Sequence, residues 1–278
     1  MKVKRVDKRD ATYQKFEVLK TNRNKRHRYQ EFFVEGVRNI NQANKNNWVI
    51  NSFIYSYEKK LSNWALDTLG KTPTKINYEL PSKLLDDLSG KTDASELIAI
   101  VQMQPDDVSL FTLSKNPILA LFDRPSNRGN LGTIIRSLDS FGIEGLVITG
   151  HGVDLYDPET IVASMGSFFN VPVVRMNDNK SIELWLANLK GKYPNLKVVG
   201  TSAHASKCIY ELDLTSPILF LIGNETDGLA NKLLETSDVI AKIPMANSSS
   251  ASSFNVACAT SIVFYEAIRQ RQGDKSKG

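Results

Sequence analysis

At 278 residues the chain is long enough for two ordinary domains, and 41% hydrophobic with 23% charged residues is a globular composition. No apolar run reaches the roughly 18 residues of a membrane span. The opening stretch "MKVKRVDKRDATYQKFEVLK" lacks an apolar signal core, so a cytoplasmic protein without a membrane partner is expected. Cys208 and Cys258 show no paired spacing, and His27, His151 and His204 stand far apart without Cys or acidic partners at ligand spacing. Neither a disulfide framework nor a metal site is expected.

The net charge is +5, but it is unevenly placed. The first 28 residues read as a basic helical start, carrying eleven Lys and Arg from Lys2 to Arg28 against Asp7, Asp10 and Glu17. Such clustering suits a polyanion, because each neutralised phosphate releases counterions. A solvated basic arm without a partner gives the same pattern. Strand-like runs follow at "EFFVEG" (31–36), "NWVINSFIYS" (47–56) and "ELIAIVQM" (96–103). The polar stretch "MQPDDVSLFTLSKNP", with two prolines, then reads as a connection. Domains are accordingly placed at 1–107 and 117–278, joined by a linker at 108–116.

From Pro117 onward the pattern is regular. Apolar runs "PILALF" (117–122), "GLVIT" (145–149), "VPVV" (171–174), "LKVVG" (196–200), "PILFLI" (217–222) and "DVIAKI" (238–243) alternate with helix-like stretches. Short buried strands separated by helices predict an α/β fold whose sheet is mostly parallel and covered on both faces. In such sheets ligands sit beyond the carboxyl ends of the strands. There this chain places its polar residues: "DRPSNRGNLG", "GTSAHAS", "GNETDGL" and "PMANSSSASSFN".

Three of these loops hold candidate catalytic residues. In "NLGTIIRSLDSFGI" (130–143), Leu131, Ile134, Ile135, Leu138 and Phe141 share one helical face, and Arg136 stands about 165° from its centre at 100° per residue. On spacing alone Arg136 is equally a solvated arginine, and Asn130 is a natural N-cap. Glu225, at the mouth of the most hydrophobic strand, also has a reading as a helix-starting acid. In the third loop Ser253 is the expected N-cap of the last helix; capping explains one serine but not the surplus of small polar residues around it.

"NRGNLGTIIRSLDSFG", "LIGNETDGL" and "IPMANSSSASSFNVACA" resemble, in order, the three signature motifs of the SpoU/TrmH branch of the SPOUT superfamily, over residues 115 to 272. The resemblance implies transfer of a methyl group from S-adenosyl-L-methionine to a ribose 2′-hydroxyl of RNA. It implies catalytic roles for Asn130, Arg136, Glu225, Ser253 and Asn255, and donor contacts from Thr201, Gly223, Ile243 and Phe254. Phe254 stands where the family usually has Leu, and the loop from Ile243 to Ser253 is about two residues longer than usual. The resemblance also implies a trefoil knot, which base rates for folds would reject, and a homodimer. The first half, with "FFVEGVRNI", is similar to the small α/β RNA-binding domain of relatives that act on large-subunit ribosomal RNA.

Ribosomal RNA is therefore the leading partner, with transfer RNA as the alternative. A non-catalytic RNA-binding protein is a further alternative, disfavoured because all five motif residues are present. A nucleotide-binding G-x-G-x-x-G is not: "NRGNLGT" offers Gly129 and Gly132 only.

Overall fold

The computed structural model describes residues 2–91 and 94–274; the outer domain bounds expected at 1 and 278 lie outside the described residues. The chain divides into two compact units, residues 1–104 with 154–170 and residues 105–153 with 171–278. The first holds β1 (Val3–Arg5), α1 (Ala11–Thr21), α2 (Arg23–Tyr29), β2 (Glu31–Glu35), α3 (Val37–Lys45), β3 (Ile50–Ser56), α4 (Asn63–Lys71), β4 (Asn77–Leu80), α5 (Ser82–Ser89) and β5 (Ile98–Gln102). The second holds β6 (Ile118–Asp123), α6 (Arg128–Phe141), β7 (Leu146–Thr149), β8 (Val173–Met176), α8 (Asn179–Lys192), β9 (Lys197–Thr201), β10 (Lys207–Cys208), β11 (Ile218–Ile222), α9 (Asn231–Thr236), β12 (Val239–Lys242) and α10 (Val256–Asp274). Helix α7 (Pro158–Ala163) falls in the piece, between β7 and β8, that joins the first unit.

The first unit is a mixed five-stranded sheet in the order β1-β4-β3-β5-β2. Asp10 starts α1 by accepting from the amides of Thr12 and Tyr13, so that Tyr13, Phe16 and Leu19 pack on Phe33, Ile54, Ile98 and Ile100 of the sheet. Phe32 points to the opposite face, because successive strand residues alternate. There it meets Trp48, Tyr156, Phe168 and Phe169 at ring distances of 4.8 to 6.4 Å. Three of those five rings come from the 154–170 segment, which closes the aromatic core of this unit.

The same segment corrects one expectation. Arg26, counted in the basic N-terminal cluster, is only 1% exposed. Its Nε donates to Asp154 at 2.7 Å, Nη2 to Asp157 at 3.1 Å, and Nη1 to the carbonyls of Leu19 and Lys20 at 3.1 and 2.8 Å. A fixed fork of donors matched by two carboxylates and two carbonyls is what allows a guanidinium to be buried. Others in the cluster are also engaged: Lys15 pairs with Glu31, Arg9 with Glu17 and Asp87, and Lys20 with the carbonyls that end α5. Lys2, Lys8 and Arg28 stay exposed.

The second unit confirms the parallel sheet. Seven strands run in the order β10-β12-β9-β11-β6-β7-β8, every pairing parallel. Leu119, Leu121, Leu219 and Leu221 face Trp185, Leu186, Leu189 and Leu233 on one side. The alternate residue Phe220 meets Phe264 of α10 on the other, at 5.9 Å. Burial on both faces explains why these strands read as continuous apolar runs. Phe111, in the expected linker, is buried in this core and occupies the space a side chain at Gly145 would need. The two-residue β10 carries no apolar run and escapes a pattern-based reading. Among the described residues no helix is long and apolar enough to cross a membrane, and no group of three or more His, Cys, Asp or Glu side chains is placed to hold a metal ion.

Asp154→Ala leaves Arg26 buried with one carboxylate fewer. The expected cost is about 3–5 kcal/mol, the range for breaking a buried ion pair, read as a lowered denaturation midpoint of the full chain.

Candidate active site

Because every strand of the second unit runs the same way, the carboxyl ends of β12, β9, β11, β6 and β7 form one edge. Register places Ala241 beside Thr201, Leu221 beside Gly200, Ile222 beside Phe122 and Asp123 beside Thr149. Thr201, Gly223 and Ile243 thus leave adjacent strands at the same end of the sheet. Thr201 donates its hydroxyl to the Leu221 carbonyl at 2.9 Å, which holds β9 to β11 there.

The loop after β11 is tightly folded. Asn224 and Gly228 exchange backbone hydrogen bonds at 3.0 and 3.1 Å, and the Asn224 side chain accepts from the amides of Thr226 and Asp227 at 2.8 and 3.1 Å. Gly228 has φ +68°, in the left-handed region where glycine has no steric cost. A Cβ on Gly223 would stand 2.6 to 2.9 Å from backbone atoms of Gly228 and Leu229, so only glycine lets the loop return so close to its strand. The helix-start reading of Glu225 fails, since α9 begins six residues later at Asn231.

This loop is fastened to the one after β6. Asp123, buried at the end of β6, accepts from the Ala230 amide at 2.9 Å and the Thr149 hydroxyl at 2.8 Å. Arg124 adopts a left-handed backbone, φ 47°, which costs a non-glycine residue about 1–2 kcal/mol. Its carbonyl accepts from Asn224 Nδ2 at 2.6 Å, while its guanidinium donates to Asp123 and to the Gly228 carbonyl. These contacts hold the strained residue in place.

Glu225 completes the connection. Its Oε2 accepts from the Ser126 amide at 3.0 Å and the Ser126 hydroxyl at 2.6 Å, and its Oε1 accepts from Asn130 Nδ2 at 3.3 Å. Asn130 Oδ1 in turn accepts from Asn255 Nδ2 at 3.1 Å, and Asn255 Oδ1 accepts from the amides of Ala257 and Cys258 at the start of α10. One residue from each motif therefore joins a single hydrogen-bonded relay. Partial burial by itself would raise the Glu225 carboxyl, but hydrogen bonds from Ser126 and Asn130 outweigh it and hold the group below its ordinary value. It is an ionised acceptor at neutral pH.

Two caps differ from expectation. Asn127, not Asn130, caps α6, its side chain accepting from the Asn130 amide at 2.8 Å; this frees the Asn130 side chain for the relay. Asn255, not Ser253, accepts from the first amides of α10. Ser253 and Phe254 lie exposed just before Asn255, outside the relay. Arg136 is exposed on α6, six residues beyond Asn130, also outside the relay. Ser126, Arg124 and Asp123 are the residues that sequence reasoning missed. Only their place in a strand-end loop marked them, because the groups they hold lie about a hundred positions away.

Gly223→Ala should open the loop after β11. Amide hydrogen exchange at Asn224 and Gly228, whose N–H groups donate across its neck, is expected to accelerate by at least tenfold.

The SpoU rRNA Methylase family matches residues 117–265, and the SpoU L30e-like domain matches residues 10–99. The 23S rRNA (uridine(2479)-2′-O)-methyltransferase of Streptomyces viridochromogenes is 38% identical over 269 residues, 96% of this chain and 93% of its own length. The crystal structure of the SpoU methyltransferase AviRb from the same organism, in complex with the cofactor AdoMet, is similar with TM-score 0.87 at 37% identity, covering 95% of this chain and all of that one. The AdoMet-bound rRNA methyltransferase of Sinorhizobium meliloti gives TM-score 0.83 at 26% identity, over 96% of this chain and 98% of that one. By the extent of these matches, the chain belongs to the SpoU rRNA methylase family.

Proposed function

We propose that this chain methylates a ribose 2′-hydroxyl of large-subunit ribosomal RNA with S-adenosylmethionine as donor. The observation that carries the reading is the relay Glu225–Asn130–Asn255, which brings the three motifs together at the carboxyl end of a parallel sheet. The relatives' substrate and cofactor agree with it.

The residues present fit the donor. Thr201, Gly223 and Ile243 end adjacent strands at one edge of the sheet, where main-chain groups that the strands no longer pair suit the polar edge of an adenosine. Thr201, Gly223, Ile243 and Phe254 are the residues assigned to hold it. When bound, it supplies an electrophilic methyl group on a sulfonium. The chain's own task is to hold a neutral hydroxyl in line and manage its proton, and positioning alone can supply several kcal/mol of the barrier. The relay uses one N–H of the Asn130 amide and one of the Asn255 amide, leaving the other of each to meet a substrate oxygen. Ser253, two residues before Asn255, holds the substrate or the loop.

Arg136 is assigned to the reacting hydroxyl. A guanidinium stays protonated in proteins, so its role is to bind phosphate and stabilise the developing alkoxide, with water or an RNA oxygen taking the proton. Its exposure in the single chain suits cover by a second copy, and a homodimer is part of this reading. So is the trefoil knot: β9 lies between β11 and β12, which follow it in sequence. Residues 1–107 form the RNA-binding domain, whose compact unit also takes in 154–170, and the rest of 117–278 the methyltransferase domain, joined through 108–116, in a cytoplasmic enzyme. A-form RNA is read chiefly by shape and 2′-hydroxyls, which suits a separate module for a large folded target.

Mapping ribose methylation in ribosomal RNA incubated with the protein and labelled donor tests the proposal. One new 2′-O-methyl site in large-subunit RNA is expected; label found only in transfer RNA, or none, contradicts it. Arg136→Ala should lower kcat by about 100-fold or more, the scale of removing a charge-stabilising donor. The pH–rate profile should show no limb near neutrality that depends on Arg136.

A further inference from the structure

Ser126 belongs to no assigned role. It sits between Arg124, whose backbone is strained, and Asn127, which caps α6, so its main-chain position is fixed from both sides. From there it gives two donors to one oxygen of Glu225, the amide at 3.0 Å and the hydroxyl at 2.6 Å. We propose that Ser126 is a positioning residue for methyl transfer: by holding one carboxylate oxygen of Glu225, it turns the other onto Asn130 and so orients the amides that face the substrate.

The chemistry of the relay makes this directional. Backbone amides of Ala257 and Cys258 can only donate, so Asn255 must meet them with its oxygen and turn its NH2 outward. That NH2 requires the oxygen of Asn130, whose own NH2 then requires a carboxylate lone pair. At the far end, the Ser126 amide can only donate to Glu225. The terminal torsion of a glutamate is broad and weakly held by itself. Two charge-assisted donors on one oxygen fix its plane. Asp123 and Arg124 hold the same two loops together through backbone groups, but neither touches the Glu225 carboxylate.

This inference rests on the methyl-transfer reading, and its test separates the two. Ser126→Ala keeps the amide donor and removes the hydroxyl; Ser126→Thr restores a hydroxyl. Methyl transfer by Ser126→Ala is expected to fall about tenfold in kcat, with KM for donor and RNA unchanged, and Ser126→Thr to recover most of it. In parallel, a carbon-13 NMR titration of the Glu225 carboxyl should move upward in Ser126→Ala and return in Ser126→Thr. A Ser126→Ala protein with wild-type kcat, or a Glu225 titration that does not move, overturns the proposal. If wild-type protein transfers no methyl group at all, the functional reading fails, and the titration still decides whether Ser126 sets the carboxylate.

Discussion

A parallel sheet delivers several loops to one edge and leaves each with polar groups that its own strand no longer pairs. Those groups must be satisfied by neighbouring loops, by a ligand or by water. In this chain the solution is a carboxylate taken on both oxygens. Ser126 holds one, Asn130 the other, and the amide chain continues through Asn255 into the start of α10. Segments about 95 to 125 positions apart thereby acquire one common orientation. The strained Arg124 is a local consequence of bringing the first two loops within reach, and the close approach at Gly223 folds the second of them back onto its own strand.

That arrangement divides the chemistry. A carboxylate held ionised by three donors is a poor base for a sugar hydroxyl, and its place in the relay makes it an orienting group. In the proposed reaction the charge that meets a developing alkoxide comes from Arg136, which is exposed on α6 outside the relay. Keeping that proposed cation apart from the orienting acid has a physical advantage. A direct ion pair between them would neutralise the arginine before the substrate arrived.

Much of the second unit was legible from apolar runs alone, since strands buried on both faces have little polar content to blur their bounds. The parallel sheet and the crowding of polar residues at strand ends followed directly. The caps were not: Asn127 and Asn130 are both asparagines near the start of α6, and local pattern does not say which one turns back to cap. The same ambiguity misassigned Ser253 in place of Asn255. Ser126 was invisible because its partner is 99 residues away. Arg26 shows the opposite failure. A basic residue in a basic cluster reads as surface, and only the arrival of Asp154 and Asp157 from a distant segment explains why it is buried.

A double-mutant cycle between Glu225 and Asn255, read in methyl-transfer rates, bears most directly on the relay. The two side chains touch only through Asn130, so Glu225→Gln and Asn255→Ala should act as independent changes unless the intervening amide couples them. Coupling of about 1 kcal/mol or more is predicted, within the range seen for members of one hydrogen-bonded network. Strict additivity of the two losses would contradict the account.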